Sequence, residues 1–115
     1  MRVLVIGAGR VGTHVLRQLQ LNPEITIITA DARENPQALE QGLIEKIDIR
    51  EPLTPMNLDH ILDQTKPDLV LLTQAVEDLG LGNAPGMGLM ADALWDELVS
   101  ISNVPMIQVA RSTSR

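Results

Sequence analysis

The chain has 115 residues, 44% of them apolar, with 9 basic and 15 acidic residues for a formal net charge of −6. That length serves one domain, 1–115, and the apolar fraction supplies a packed core, which excludes a disordered chain. The acidic balance argues against a nucleic-acid partner, and the lack of cysteine excludes disulfide scaffolds, thiolate metal sites and cysteine nucleophiles, in keeping with a reducing cytosol.

Trp95 is the sole aromatic residue, so the core must come from branched aliphatics, which suits a buried sheet. Val3-Leu4-Val5-Ile6 is a continuous apolar run ending at Gly7. It predicts a strand buried on both faces, and it is too short for a signal peptide or a membrane span. A helix is predicted next, with Val11, Val15, Leu16 and Leu19 on one face and Asn22-Pro23 as its stop. Ile25-Thr26-Ile27-Ile28 predicts a second strand that ends near Asp31. Asn35 is read as the cap of a short helix, with Pro36 at its first position and Gly42 just past its end.

Ile44 to Ile49 is read as a third strand, interrupted by charges. Thr54-Pro55 opens another helix, with Leu58, Ile61 and Leu62 on its apolar face, ending before Lys66-Pro67. Leu69-Val70-Leu71-Leu72 predicts a fourth buried strand, and a glycine-rich loop covers Gly80 to Gly88. A last helix carries Met90, Leu94, Leu98 and Ile101, and Val104 to Val109 forms a fifth strand. Strands alternating with helices imply an α/β fold. The expectation is a Rossmann-like, doubly wound, parallel five-stranded sheet of order 3-2-1-4-5, with a crevice where the order reverses beside the first strand.

Gly7-Ala8-Gly9-Arg10-Val11-Gly12 is a G-x-G-x-x-G motif between a predicted strand and a predicted helix, the context a dinucleotide-binding loop requires. Gly7 permits the tight turn, Gly9 lets a pyrophosphate approach the backbone, and Gly12 lets the helix pack close to the sheet. The helix N-terminus offers free N–H groups to a phosphate. Asp31 follows Gly12 by 19 residues, so its carboxylate is expected to accept hydrogen bonds from an adenosine ribose and to favour NAD over NADP. Arg33 opposes that preference, because an arginine just beyond the acidic residue can hold a 2′-phosphate.

Weaker candidates surround this pair. Asp48, at the end of the third strand, is read either as a contact to an adenine edge or as a plain strand-end carboxylate. Thr73-Gln74, at the end of the fourth strand, is read as a contact to ribose or phosphate or as a satisfied loop pair. The candidate cofactor-binding set is Gly7, Gly9, Arg10, Val11, Gly12, Asp31, Ala32, Arg33, Asp48, Thr73 and Gln74. The Gly80–Gly88 loop is either a flap over the ligand or a connection into a helix begun by Pro85. Neither His14 nor His60 has a partner at metal-ligand spacing, and no serine sits in a nucleophile elbow, so no catalytic and no metal residue is assigned.

The stretch Val3 to Gly12 resembles the opening of the TrkA-N, or RCK (KTN), nucleotide-binding domains. The fourth strand ending in Thr73, and Asn103 to Arg111, are similar as well. The chain departs from that family at Ile47-Asp48, where a Gly-Asp pair is usual, and in the length of the Leu79–Gly88 loop. The resemblance implies a cytoplasmic regulatory module that binds NAD, with NADP or ATP/ADP as further ligands, and serves potassium transport beside a membrane channel or transporter without entering the membrane. Two other functions stay open: an NAD(P)-binding domain or subunit of an oxidoreductase, and an S-adenosylmethionine-binding domain. Hydride transfer needs a substrate site and positioned acid–base groups, and no such cluster is visible, so catalysis by this chain alone is not expected. A homodimer is expected from the wide apolar arc of the last helix, Met87, Met90, Ala91, Leu94, Trp95, Leu98 and Ile101.

Overall fold

The computed structural model describes residues 1–73, 93 and 96–109. The elements run β1 (Arg2–Ile6), α1 (Arg10–Leu19), β2 (Thr26–Ala30), α2 (Gln37–Glu40), α3 (Leu58–Thr65), β3 (Leu69–Leu72) and β4 (Met106–Gln108). Residues 96–101 are also helical. The four strands pair in parallel throughout, in the order β2-β1-β3-β4.

The apolar runs explain the layering. Strand residues alternate between faces, and β1 is buried on both. Leu4 and Ile6 join Ile28, Val70 and Leu72 under α3, where they meet Leu58, Ile61, Leu62 and Leu98. Val3 and Val5 face the other way, against Leu16 of α1, Ala38 of α2 and Ile47. The sheet is therefore covered on both faces, as a parallel sheet requires.

The expected five-stranded sheet is corrected to four strands among the described residues. Ile44–Ile49 contributes a single parallel bridge, Ile49 to Ala30. It lies along the outer edge of β2, where the third strand was expected, so the observed order is the expected one without its outermost member. The reason lies in the interrupting charges. The Asp48 carboxylate takes the Thr29 N–H at 3.0 Å, a donor that a continuing ladder would have used. The N–H groups of Asp48 and Ile49 both donate to the Thr29 carbonyl, and Asp31 N–H donates to Ile49. Ile47 nonetheless enters the core.

Boundaries shift elsewhere for local reasons. Pro36 is the N-cap of α2 rather than its first residue, and Gly42 follows with φ +74°, the left-handed exit that glycine favours. Thr54-Pro55 belongs to the turn before α3: the Asn57 side chain accepts from Thr54 N–H and donates to the Pro52 carbonyl. Lys66 ends α3 in the left-handed region, φ 47°, before Pro67. The expected Val104–Val109 strand shortens to Met106–Gln108, because the Ser102 hydroxyl bonds both N–H and C=O of Val104. Among the described residues no helix is long and apolar enough to cross a membrane.

Candidate functional site

The carboxyl ends of β1, β2 and β3 meet at the glycine motif. The chain leaves β1 through Gly7 at φ 108°, a conformation that L side chains rarely adopt. Gly7 N–H donates to the Ala30 carbonyl at 2.7 Å, which ties the turn to β2. α1 then starts at Arg10 with Gly9 as its N-cap. A Cβ on Gly12 would lie 1.9 Å from the Gly7 carbonyl oxygen and 2.9 Å from Thr73 Oγ1. The first turn of α1 is thus pressed directly onto the turn that leaves β1, and only glycine fits there.

Thr73 completes this floor from β3. Its N–H donates to the Ile6 carbonyl at 2.8 Å. Its buried hydroxyl lies 2.9 Å from the carbonyls of both Ile6 and Gly7, sharing one proton between them. The Thr73 hydroxyl thus ties the end of β3 to the turn that leaves β1. Its neighbour Gln74 and the Gly80–Gly88 loop lie outside the described residues.

The N-terminus of α1 has no side-chain cap bond and no acidic residue in its first turn. Among the described residues, no side chain caps the first N–H groups of α1, which stay available at the positive end of the helix dipole. Neighbouring β1 and β3 are followed by helices on opposite faces: Leu16 of α1 packs on one side and Leu98 of the 96–101 helix on the other. In open α/β sheets a ligand crevice forms at the carboxyl ends of two strands flanked in this way.

Asp31, just beyond β2, reaches into this loop. Its side chain is fully buried. Oδ2 accepts from Ala8 N–H at 2.8 Å and from Arg33 Nη2 at 2.8 Å. Oδ1 accepts from Arg33 N–H at 2.9 Å and from Arg33 Nε at 3.1 Å. Burial pushes the Asp31 carboxyl up, but the Arg33 side chain, the Ala8 and Arg33 N–H groups and the arginine charge together outweigh it and hold the carboxyl below its ordinary value. The Ala8 carbonyl accepts from Ala38 N–H at 2.9 Å and from the Thr13 hydroxyl at 3.3 Å. The loop is thereby fixed by β2, α1 and α2 together.

Of the remaining candidates, Arg10 and Ala32 are exposed, Val11 and Arg33 half-buried, and Gly9 buried. Asp48 stands beside Thr29 on the outer edge of β2, taking the Thr29 N–H at 3.0 Å, with Lys46 Nζ 4.0 Å from its Oδ1. A cavity of about 340 Å³ flanks α1, lined among others by Arg10, Val11, His14, Gln37 and Val109. A larger one, about 640 Å³, lies at the amino ends of β3 and β4, lined by residues such as His60, Asp63, Pro67 and Asn103. His14 and His60 are exposed, and no group of three metal-ligating side chains occurs among the described residues.

Sequence reasoning missed two features. Asp31 is a clasp on the glycine loop, and α2 braces that loop through Ala38. The first had a visible signal, since residues 31 and 33 share a side in an extended chain. The second had none, because a short helix carries no mark of where its N–H groups point. No protein-family model, no curated protein and no solved structure matches this chain.

Proposed function

We propose that this chain is a nucleotide-binding module of Rossmann-like type that holds NAD(H) or another adenine nucleotide by its diphosphate at the first turn of α1. The reading is carried by the approach of Gly12 to Gly7, 1.9 Å from a would-be Cβ to the carbonyl oxygen. The close packing at Gly12, and the turn at Gly7 with φ 108°, are in keeping with the separate roles of these glycines in a dinucleotide loop. The uncapped start of α1 supports the same conclusion, because backbone N–H groups and the helix dipole bind an anion without any cationic side chain. The module passes its ligand state to a partner, in line with the resemblance to TrkA-N and RCK domains, whose partners are potassium channels and transporters.

Native mass spectrometry of the gently purified protein tests the ligand class directly, and calorimetry tests the site. Gly9 caps α1 where the diphosphate would lie, so Gly9→Val is expected to abolish binding of NADH while circular dichroism stays unchanged. Equal affinity in the two proteins would remove the diphosphate from this loop.

A further inference from the structure

We propose that Arg33 makes this crevice a reader of the ribose 2′-phosphate, so that the chain prefers a 2′-phosphorylated adenine dinucleotide to its unphosphorylated counterpart. The inference rests on the nucleotide reading above and narrows its ligand class.

The starting point is the state of Asp31. An ionised carboxylate offers about four lone-pair sites. Here all four have donors: Arg33 N–H and Nε on Oδ1, Ala8 N–H and Arg33 Nη2 on Oδ2. The Asp31 side chain has 0% exposure, whereas that of Arg33 has 36%. A ribose diol that bonds to Asp31 must therefore first break two charge-assisted bonds and open a path to a buried group. What β2 presents to a ligand is the guanidinium, not the carboxylate.

Charge points the same way. An unpaired aspartate at the end of the second strand repels a 2′-phosphate. Asp31 is paired at 2.8 Å with Arg33, so its charge is cancelled where the phosphate would arrive. A second guanidinium is held at the same turn: Arg50 Nη1 donates to the carbonyls of Glu34 at 3.0 Å and Arg33 at 3.3 Å. Asp31, Arg33, Glu34 and Arg50 sum to zero formal charge, with both cations carried on planar forks that suit phosphate oxygens. When Arg33 turns a guanidinium N–H toward the phosphate, Asp31 keeps the backbone donors of Ala8 and Arg33. The loop clasp survives ligand binding.

Calorimetry with ADP-ribose and 2′-phospho-ADP-ribose isolates this half of the ligand. The wild type is expected to bind the phosphorylated compound more tightly by about tenfold or more. Arg33→Ala is expected to reverse that order, because it uncovers Asp31 to ribose hydroxyls and restores its repulsion of the phosphate. Arg33→Lys keeps the charge without the fork and is expected to retain part of the preference, so it serves as the test should Arg33→Ala fail to fold. Tighter or equal binding of ADP-ribose by the wild type overturns the role of Arg33 while leaving the nucleotide site standing. A preference that survives in Arg33→Ala overturns it equally. Binding of neither compound overturns both readings.

Discussion

Asp31 carries a charge inside the protein, and its stability depends on the donors around it. Its folded carboxyl sits below the ordinary value because the bonds from Arg33 and Ala8 and the arginine charge outweigh the cost of burial. The native state therefore binds this proton less readily than the unfolded chain. The stabilisation is complete above the ordinary aspartate value and is lost as pH falls through the lowered one. Urea midpoints followed from neutral pH down to about pH 3 are expected to fall more steeply in the wild type than in Asp31→Asn. The asparagine keeps an acceptor for Ala8 N–H but has no carboxylate to protonate. Parallel acid limbs in the two proteins would remove Asp31 from the pH dependence. At this scale the sequence was legible where chemistry and spacing coincide. Gly7 and Gly12 are required for the reasons their spacing implies. The position of Asp31 was legible too, but its partners were not, because strand spacing sets where a side chain starts and not what fills its lone pairs.

Elements were legible in proportion to their unbroken apolar length. Val3–Ile6 and Leu69–Leu72 became strands at nearly the expected residues, since a run buried on both faces has one stable environment, the middle of a sheet. Ile44–Ile49 did not. Its isoleucines are apolar enough for a strand, but Glu45, Lys46 and Asp48 fall among them. Packing and edge pairing are consequently divided between residues. Ile47 fills the core beside Val3, Val5 and Leu16, while Asp48 bonds the edge of β2 from an exposed position. The two should differ in cost. Ile47→Ala is expected to destabilise by about 2–4 kcal/mol, the range for an aliphatic side chain removed from a packed core. Asp48→Ala is expected to cost about 1 kcal/mol or less, because water can replace the carboxylate at an exposed edge. Urea denaturation of both variants measures this, and equal losses would mean that the segment is held by its edge bonds rather than by its packing.

For the whole molecule, the sheet order leaves β4 at one end, and among the described residues its partner is β3 alone. An unpaired strand edge invites pairing with another chain unless charge or a covering element protects it. β4 itself is uncharged, Met106-Ile107-Gln108, and Ile107 is 52% exposed. Val99 and Ile101, on the helical segment before it, are 38% and 48% exposed. The apolar arc expected of the last helix divides accordingly. Leu98 turns into the core at 1% exposure and Ile101 turns out, while Met87, Met90, Ala91, Leu94 and Trp95 lie outside the described residues. An apolar edge of this kind leads to the expectation of a homodimer at micromolar concentration, with β4 and Ile101 at its centre. Pairing would join two glycine loops in one assembly. A ligand that favours one arrangement of the pair would then bias the neighbouring site, which is what a regulatory module requires. Light scattering on the wild type and on Ile107→Lys is the measurement. The lysine adds a charge at the exposed edge and leaves the buried Met106 face intact, so it is expected to give monomers that still bind nucleotide. A monomeric wild type, with and without ligand, would separate nucleotide binding from any coupling between subunits.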